Sequence, residues 1–172
     1  MKRDPALIPL SHDHLSALVL VYCLKHGKGA SDRYQWPARP IAQVERIQQI
    51  WQQELQHHFV AEERFIFLPL QEQVLPATQT LTDDLLAEHQ QIEQAIKQLS
   101  GLSVEALPAA LIELANALES HIRKEERQYF EALQTELTVE RLEQIGQAIA
   151  DFYAELPPIQ CALTGVMRKL GD

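Results

Sequence analysis

Apolar residues recur along the chain at steps of three and four, the period of a helix with one buried face. No stretch keeps the two-residue alternation of a strand. The chain is rich in Leu, Ala, Gln and Glu and poor in Gly, a composition that favours helix. Its punctuation marks five helices. The first is expected from Leu10 or Ser11 to about Lys25, stopped by His26-Gly27-Lys28-Gly29. A polar loop leads to Pro40. The second runs from Ile41 to about Phe67, with Pro69 beyond its end. The third begins near Thr82, with Asp83 and Asp84 in the first turn where the helix dipole favours acids, and ends before Gly101. The fourth begins near Pro108, a residue suited to a first turn, and continues to about Thr135. The fifth has Thr138 as its N-cap and ends before Pro157-Pro158. The tail from Ile159 to Asp172 is long enough for one more short helix. The fold expected is all-α: an up-down-up-down four-helix bundle over about residues 8–135, an additional C-terminal helix over about 138–156, and a tail, 157–172. Residues 1–172 read as a single domain without internal repeats.

The stripes that should face the core carry more than apolar residues. On the first helix the stripe runs Leu7, Leu10, His14, Ala17, Val21, Leu24; on the second, Val44, Ile47, Trp51, Leu55, His58, Glu62, Phe65. On the third it runs Leu85, His89, Ile92, Ile96, Leu99; on the fourth, Leu111, Leu114, Leu118, His121, Glu125. Each helix thus places one histidine on its inner face, and two add a glutamate one turn later. A single buried histidine is ordinarily a hydrogen-bonded core residue. Four of them with two carboxylates are different, because burying an unpaired carboxylate costs several kcal/mol. The same residues become favourable around a cation. A mixed His/Glu set suits iron, with manganese or zinc as alternatives. The i,i+4 spacing of His58 with Glu62 and of His121 with Glu125 directs each pair into one cavity.

Length and charge narrow the class. At 172 residues the chain is of single-domain size, since cores split only beyond roughly 250 residues. It needs neither disulfide nor metal merely to fold. With 46% hydrophobic and 23% charged residues, it is not expected to be disordered. Its 15 Lys and Arg against 24 Asp and Glu give a formal charge of −9. That balance argues against nucleic acid or an anionic membrane as partner. The longest apolar run, Ala17 to Leu24, is too short to span a bilayer, and the start lacks the apolar run of a signal peptide. Cys23 and Cys161 are too few for a disulfide scaffold and read as reduced thiols in a cytoplasmic protein.

Four segments, taken in order, resemble the hemerythrin-like, or HHE cation-binding, family: Ser11-His12-Asp13-His14, His58-Phe59-Val60-Ala61-Glu62-Glu63, Glu88-His89 and His121-Ile122-Arg123-Lys124-Glu125-Glu126-Arg127. The resemblance covers about residues 8 to 150. It implies a four-helix bundle around a non-haem di-iron centre, with histidines as terminal ligands and two carboxylates bridging the metals. By position it assigns His14, His58, Glu62, His89, His121 and Glu125 as metal ligands. Some members place the last acid one residue later, at Glu126; the i,i+4 step favours Glu125. Oxygen-carrying members have a further histidine four residues after the third helix's ligand. Here that residue is Glu93, a candidate replacement ligand, which puts reversible oxygen carriage in doubt.

Several polar residues near the stripes have simpler readings. His57 and His12 are turned away from the ligand positions, His26 sits at a helix end, and Glu63 and Glu126 are expected as surface or supporting acids. Asp13 and Glu88, each just before a proposed ligand, are candidates to orient a neighbouring imidazole. The expected function is binding, sensing or detoxifying O2, NO or peroxide at di-iron, with an electron partner that the sequence does not specify and a homodimer as one assembly. The alternatives are an iron-donating protein that repairs iron–sulfur clusters, or a zinc-bound or metal-free helical interaction module.

Overall fold

The computed structural model describes residues 2–71 and 78–171. Met1 and Asp172, the ends of the expected chain-long domain, and residues 72–77 lie outside it. Helix α1 is Ile8–His26, entered through a 3-10 turn at Pro5–Leu7. Helix α2 covers residues 40–71: the α segments Pro40–Ile50, Gln56–Glu62 and Leu68–Gln71 are joined by π turns at Trp51–Leu55 and Glu63–Phe67. Helix α3 is Gln79–Gln98, closed by a 3-10 turn at Leu99–Gly101. Helix α4 covers residues 107–136, with a π turn at Glu125–Tyr129 between Leu107–Lys124 and Phe130–Glu136. Helix α5 is Val139–Glu155, N-capped by the Thr138 hydroxyl as expected.

The boundaries depart from the sequence reading where proline misled it. Helix α1 starts before Pro9, because a first-turn residue has no intrahelical use for the missing N–H. Helix α2 runs on past Pro69, which stands two residues after the end of a π turn that has already broken the regular ladder. Helix α1 ends as read, at Gly27, whose φ of 64° closes the last turn.

The tail overturns the expectation of a further short helix. It forms a two-stranded antiparallel hairpin, β1 (Ile159–Gln160) with β2 (Met167–Arg168), and Ile159 lies opposite Arg168. The Cys161 N–H donates to Val166 O and the Gly165 N–H to Cys161 O, closing a turn in which Gly165 takes a φ of 71°. Proline at 157 and 158 had already released the chain from α5.

The inner stripes are buried as read from Leu7 to Leu24 and from Val44 to Glu62. They form two apolar clusters. One contains Val21, Ile47, Leu55, Ile92 and Leu118; the other contains Leu10, Ile66, Leu85, Tyr129 and Phe130. On each of the first four helices the histidine stands where one cluster gives way to the other. The stripe on α2 then slips. Phe65 is only half-buried while Ile66 and Phe67 are buried, because the π turn adds a residue and moves the inner face along by one.

Counted with its polar residues, the segment Pro5–His26 is long and apolar enough to cross a membrane, with a mean hydropathy of 1.4 in its best window. Half of that window is packed inside the bundle, and it carries Asp13 and His14 into the core.

Candidate metal centre

Six buried polar side chains meet between the two apolar clusters. Glu62 and Glu125 expose 0% of their surface, and His14, His58, His89 and His121 expose 1–3%. They form two groups of four donors. His14, His58, Glu62 and Glu125 make one; Glu62, His89, His121 and Glu125 make the other. Within each group the donor atoms lie within 4.8 Å of one another. The two glutamates belong to both, so their carboxylates stand between two positions, each completed by two imidazoles.

The facing atoms are close but not hydrogen-bonded in the usual way. The Nε2 of His14 lies 3.0 Å from Glu125 Oε2 and 3.5 Å from Glu62 Oε1. The Nε2 of His58 is 3.2 Å from Glu62 Oε1, that of His89 is 3.4 Å from Glu62 Oε2, and that of His121 is 3.3 Å from Glu125 Oε2. All four carboxylate oxygens of Glu62 and Glu125, and the Nε2 of His14 and of His58, lack a hydrogen-bond partner. His89 and His121 face each other through their Nε2 atoms at 3.1 Å. Buried polar atoms are nearly always satisfied. Six orphaned donors aimed at shared points in a dry core fit metal ligands and fit little else.

The other ring nitrogen of every histidine faces a carboxylate. The Nδ1 of His14 is 2.8 Å from Glu126, that of His89 is 2.8 Å from Glu63, and that of His121 is 3.0 Å from Glu88. The Nδ1 of His58 is 3.5 Å from Asp13. A carboxylate only accepts, so each Nδ1 carries a proton, and once a ring is neutral its Nε2 is left with the lone pair facing the centre.

The supporting acids follow a pattern that repeats across the bundle. On α1 and α3 an acid precedes the histidine, Asp13-His14 and Glu88-His89, and serves the histidine of the next helix. On α2 and α4 the histidine is followed by two glutamates, His58-x-x-x-Glu62-Glu63 and His121-x-x-x-Glu125-Glu126. The first glutamate joins the centre, and the second reaches Nδ1 on another helix. Both pairs sit where a π turn begins, at Glu63 and at Glu125. This repeat was missed in the sequence because the spacing between its halves is irregular. Its signal was the doubled Glu-Glu after an i,i+4 histidine.

The same contacts set the protonation of the metal-free cluster. Burial alone would lower the histidine pKa values. It is outweighed at His14, raised well above its usual value, by Glu125, Glu126 and Glu62. At His58 and His89 the facing carboxylates raise the value to about 9. Burial would raise Glu62, but His58, His14 and His89 hold it well below the usual range. Glu126 is likewise held at about 2, against its burial, by His14, Ser11 and Arg3.

Other residues weighed as ligands stand apart from both donor groups. Glu93, the candidate replacement ligand, pairs with Lys97 at 2.6 Å and lies outside both donor groups. His57 is half-exposed; His12 bonds Gly171 O at 3.2 Å; and His26 lies against the Tyr22 ring. The Tyr129 hydroxyl is taken by Thr82 at 2.9 Å. Phe59 stacks flat on the His89 ring at 3.7 Å.

The family model for the hemerythrin HHE cation-binding domain matches residues 6–133. The chain belongs to that family. The match takes in α1 to α4 up to Leu133 and every residue of the two donor groups. It stops short of α5 and the hairpin. A search of curated proteins and a search of solved structures found no significant match. As a hemerythrin-like bundle with His/Glu clusters, the protein is built to bind metal cations.

Proposed function

We propose that this hemerythrin-like protein holds two iron ions and uses them to bind, sense or remove O2, NO or peroxide. The observation that supports the reading is the sharing of Glu62 and Glu125 between the two donor groups. His14 and His58 would hold one ion, His89 and His121 the other, and the two glutamates would join both. Two imidazoles with carboxylate donors are a set used by non-haem iron with open positions. Four donors would close the shell of zinc, which prefers tetrahedral sites, but would leave iron open to a further ligand.

Bound iron would supply redox chemistry and an open position for a small molecule. The chain's own work is to hold and exclude. The Nδ1–H bonds of His14, His89 and His121 to Glu126, Glu63 and Glu88, and the charge of Asp13 beside His58 Nδ1, favour rings whose Nε2 faces inward. Phe59, Phe67 and Phe130 stack on or near the ligand rings and keep bulk water from the donors. A surface hollow of about 320 Å³ reaches His89 between Phe59, Glu63 and Gln90; we infer that small ligands enter there. A cytoplasmic location completes the proposal.

The test is spectroscopic. Iron-loaded protein should absorb in the near ultraviolet, and that absorption should shift with azide, NO or hydrogen peroxide. A colourless protein that takes up only zinc would leave the cluster as a structural site and overturn the redox reading.

A further inference from the structure

Three of the four orienting carboxylates belong to a network within the bundle itself or lie at its rim. Glu126 is held by Arg3 at 2.6 Å and by Ser11 at 2.7 Å, and Glu88 is held by Lys124. Asp13 differs. It is buried, and what fixes it comes from beyond residue 133, outside the matched domain. The Tyr153 hydroxyl of α5 donates to Asp13 Oδ2 at 2.8 Å. The Gly171 N–H donates to Asp13 Oδ1 at 3.1 Å. Arg168, on β2, brings Nη1 to 3.7 Å from Asp13 Oδ1 and bonds Glu54 of α2 through Nη2.

The segment carrying these groups is fastened across the bundle. Gln35 N–H donates to Leu163 O at 2.8 Å, and Arg46 donates to Ala162 O. Cys161, Ala162 and Leu163 are buried in one apolar cluster and Leu170 in the other. Gly171 has a φ of 81°, and a Cβ there would lie 2.8 Å from the Tyr153 ring, so a side chain would force the strap off its seat. Between strap and centre, a cavity of about 10 Å³ is lined by Asp13, Glu54, His58 and Arg168. The His58–Asp13 contact at 3.5 Å is the longest of the four. His58 Nδ1 lacks a hydrogen-bond partner, so the charge of Asp13 beside it is what orients that ring.

We propose that the C-terminal strap is a working part of the metal centre: Tyr153, Arg168 and the Gly171 backbone hold Asp13, and through it orient His58. The inference rests on the two-metal reading and adds an asymmetry to it. The His14/His58 position depends on the strap, and the His89/His121 position does not. Tyr153 and Arg168 are positioning residues, because neither reaches the donors.

The test is a stepwise titration of the full-length, chelated protein with cobalt(II), read by absorption and calorimetry. Wild type should bind two ions. Tyr153→Phe and Arg168→Gln should each weaken one step by roughly 10–100-fold, the usual cost of losing an outer partner, and leave the other unchanged. Glu88→Gln should weaken the other step. In an Asp13→Asn background, Tyr153→Phe should add nothing, which a merely structural role would not produce. Both steps unchanged, both weakened equally, or effects additive with Asp13→Asn would overturn the proposal. Should Arg168→Gln fail to fold, Tyr153→Phe, which loses one oxygen, decides alone. A wild type that binds no pair of ions would overturn the two-metal reading itself, a result distinct from normal binding that ignores the strap.

Discussion

At the scale of single residues, the centre is defined by what each ring nitrogen faces. Nε2 of every histidine points to shared carboxylates, and Nδ1 points to an acid of its own. His58→Ala and Glu62→Ala should therefore each lower bound metal, as elemental analysis would show. His26→Ala should leave both metal content and stability unchanged, since His26 is exposed at a helix end. The pH dependence follows from the same contacts. His58 and His89 have pKa values raised to about 9 in the metal-free fold, above the ordinary 6.5. They contribute stability that is fully present below about pH 6.5 and lost as the pH rises through about 9. Metal needs neutral imidazoles, so affinity should change the opposite way. Between pH 7 and 9 the chelated protein's Tm should fall while metal binding tightens, and binding should release protons to a pH indicator. A Tm that rises over this range would show that the histidines are not paired as described.

The six donors were legible because each falls on an apolar stripe where a buried charge needs a reason. The supporting acids were only half legible. Asp13 and Glu88 were read as candidates to orient an imidazole, while for Glu63 and Glu126 a surface and a supporting role were left side by side, since a residue next to a buried one is turned about 100° away on a helix. They act instead on the histidines of neighbouring helices, a relation that spacing along one helix cannot reveal.

At the scale of elements, the π turns and the appended helix shape the bundle. The π turns that begin at Glu63 and Glu125 change the phase of α2 just after its last donor and of α4 at its last donor, and the slip from Phe65 to Ile66 follows. A period count cannot anticipate an inserted residue, which is why the stripe read from sequence loses register there. Helix α5 crosses the N-terminal turn at Gly146, where an added Cβ would lie 2.8 Å from both Cα and Cβ of Ala6. Helix propensity favours Ala over Gly by about 1 kcal/mol, but forcing a methyl into a packed contact costs about 1–3 kcal/mol. Gly146→Ala should thus be destabilising, by about 1 kcal/mol in urea unfolding. A stabilised variant would mean that α5 stands farther off. The hairpin was misread as a short helix because its strands have only two residues each. Its anchors, Arg168 on Glu54 and Leu163 O on Gln35, lie far away in the sequence.

At the scale of the whole molecule, metal and fold are linked. A centre that gathers the carboxylates of Glu62 and Glu125 and four imidazoles is stabilised by a cation that binds it only when folded. A metal present at about a thousand times its Kd adds about 4 kcal/mol. For a chain of this size that raises Tm by about 8–16 °C. Chelation should therefore lower Tm by about that amount in calorimetry, and adding metal back should restore it. The all-α bundle was legible as a whole because helical periodicity is a local signal. The clasp between the C-terminal strap and Asp13 was not, because it is made only by tertiary contact.

A shared two-metal centre is tested by an anaerobic titration of the chelated protein with ferrous iron, followed by elemental analysis of the desalted product. Two irons per chain are expected in wild type, and fewer in His58→Ala and Glu62→Ala. One iron or none in wild type, or two retained in both variants, would contradict a centre built on shared Glu62 and Glu125.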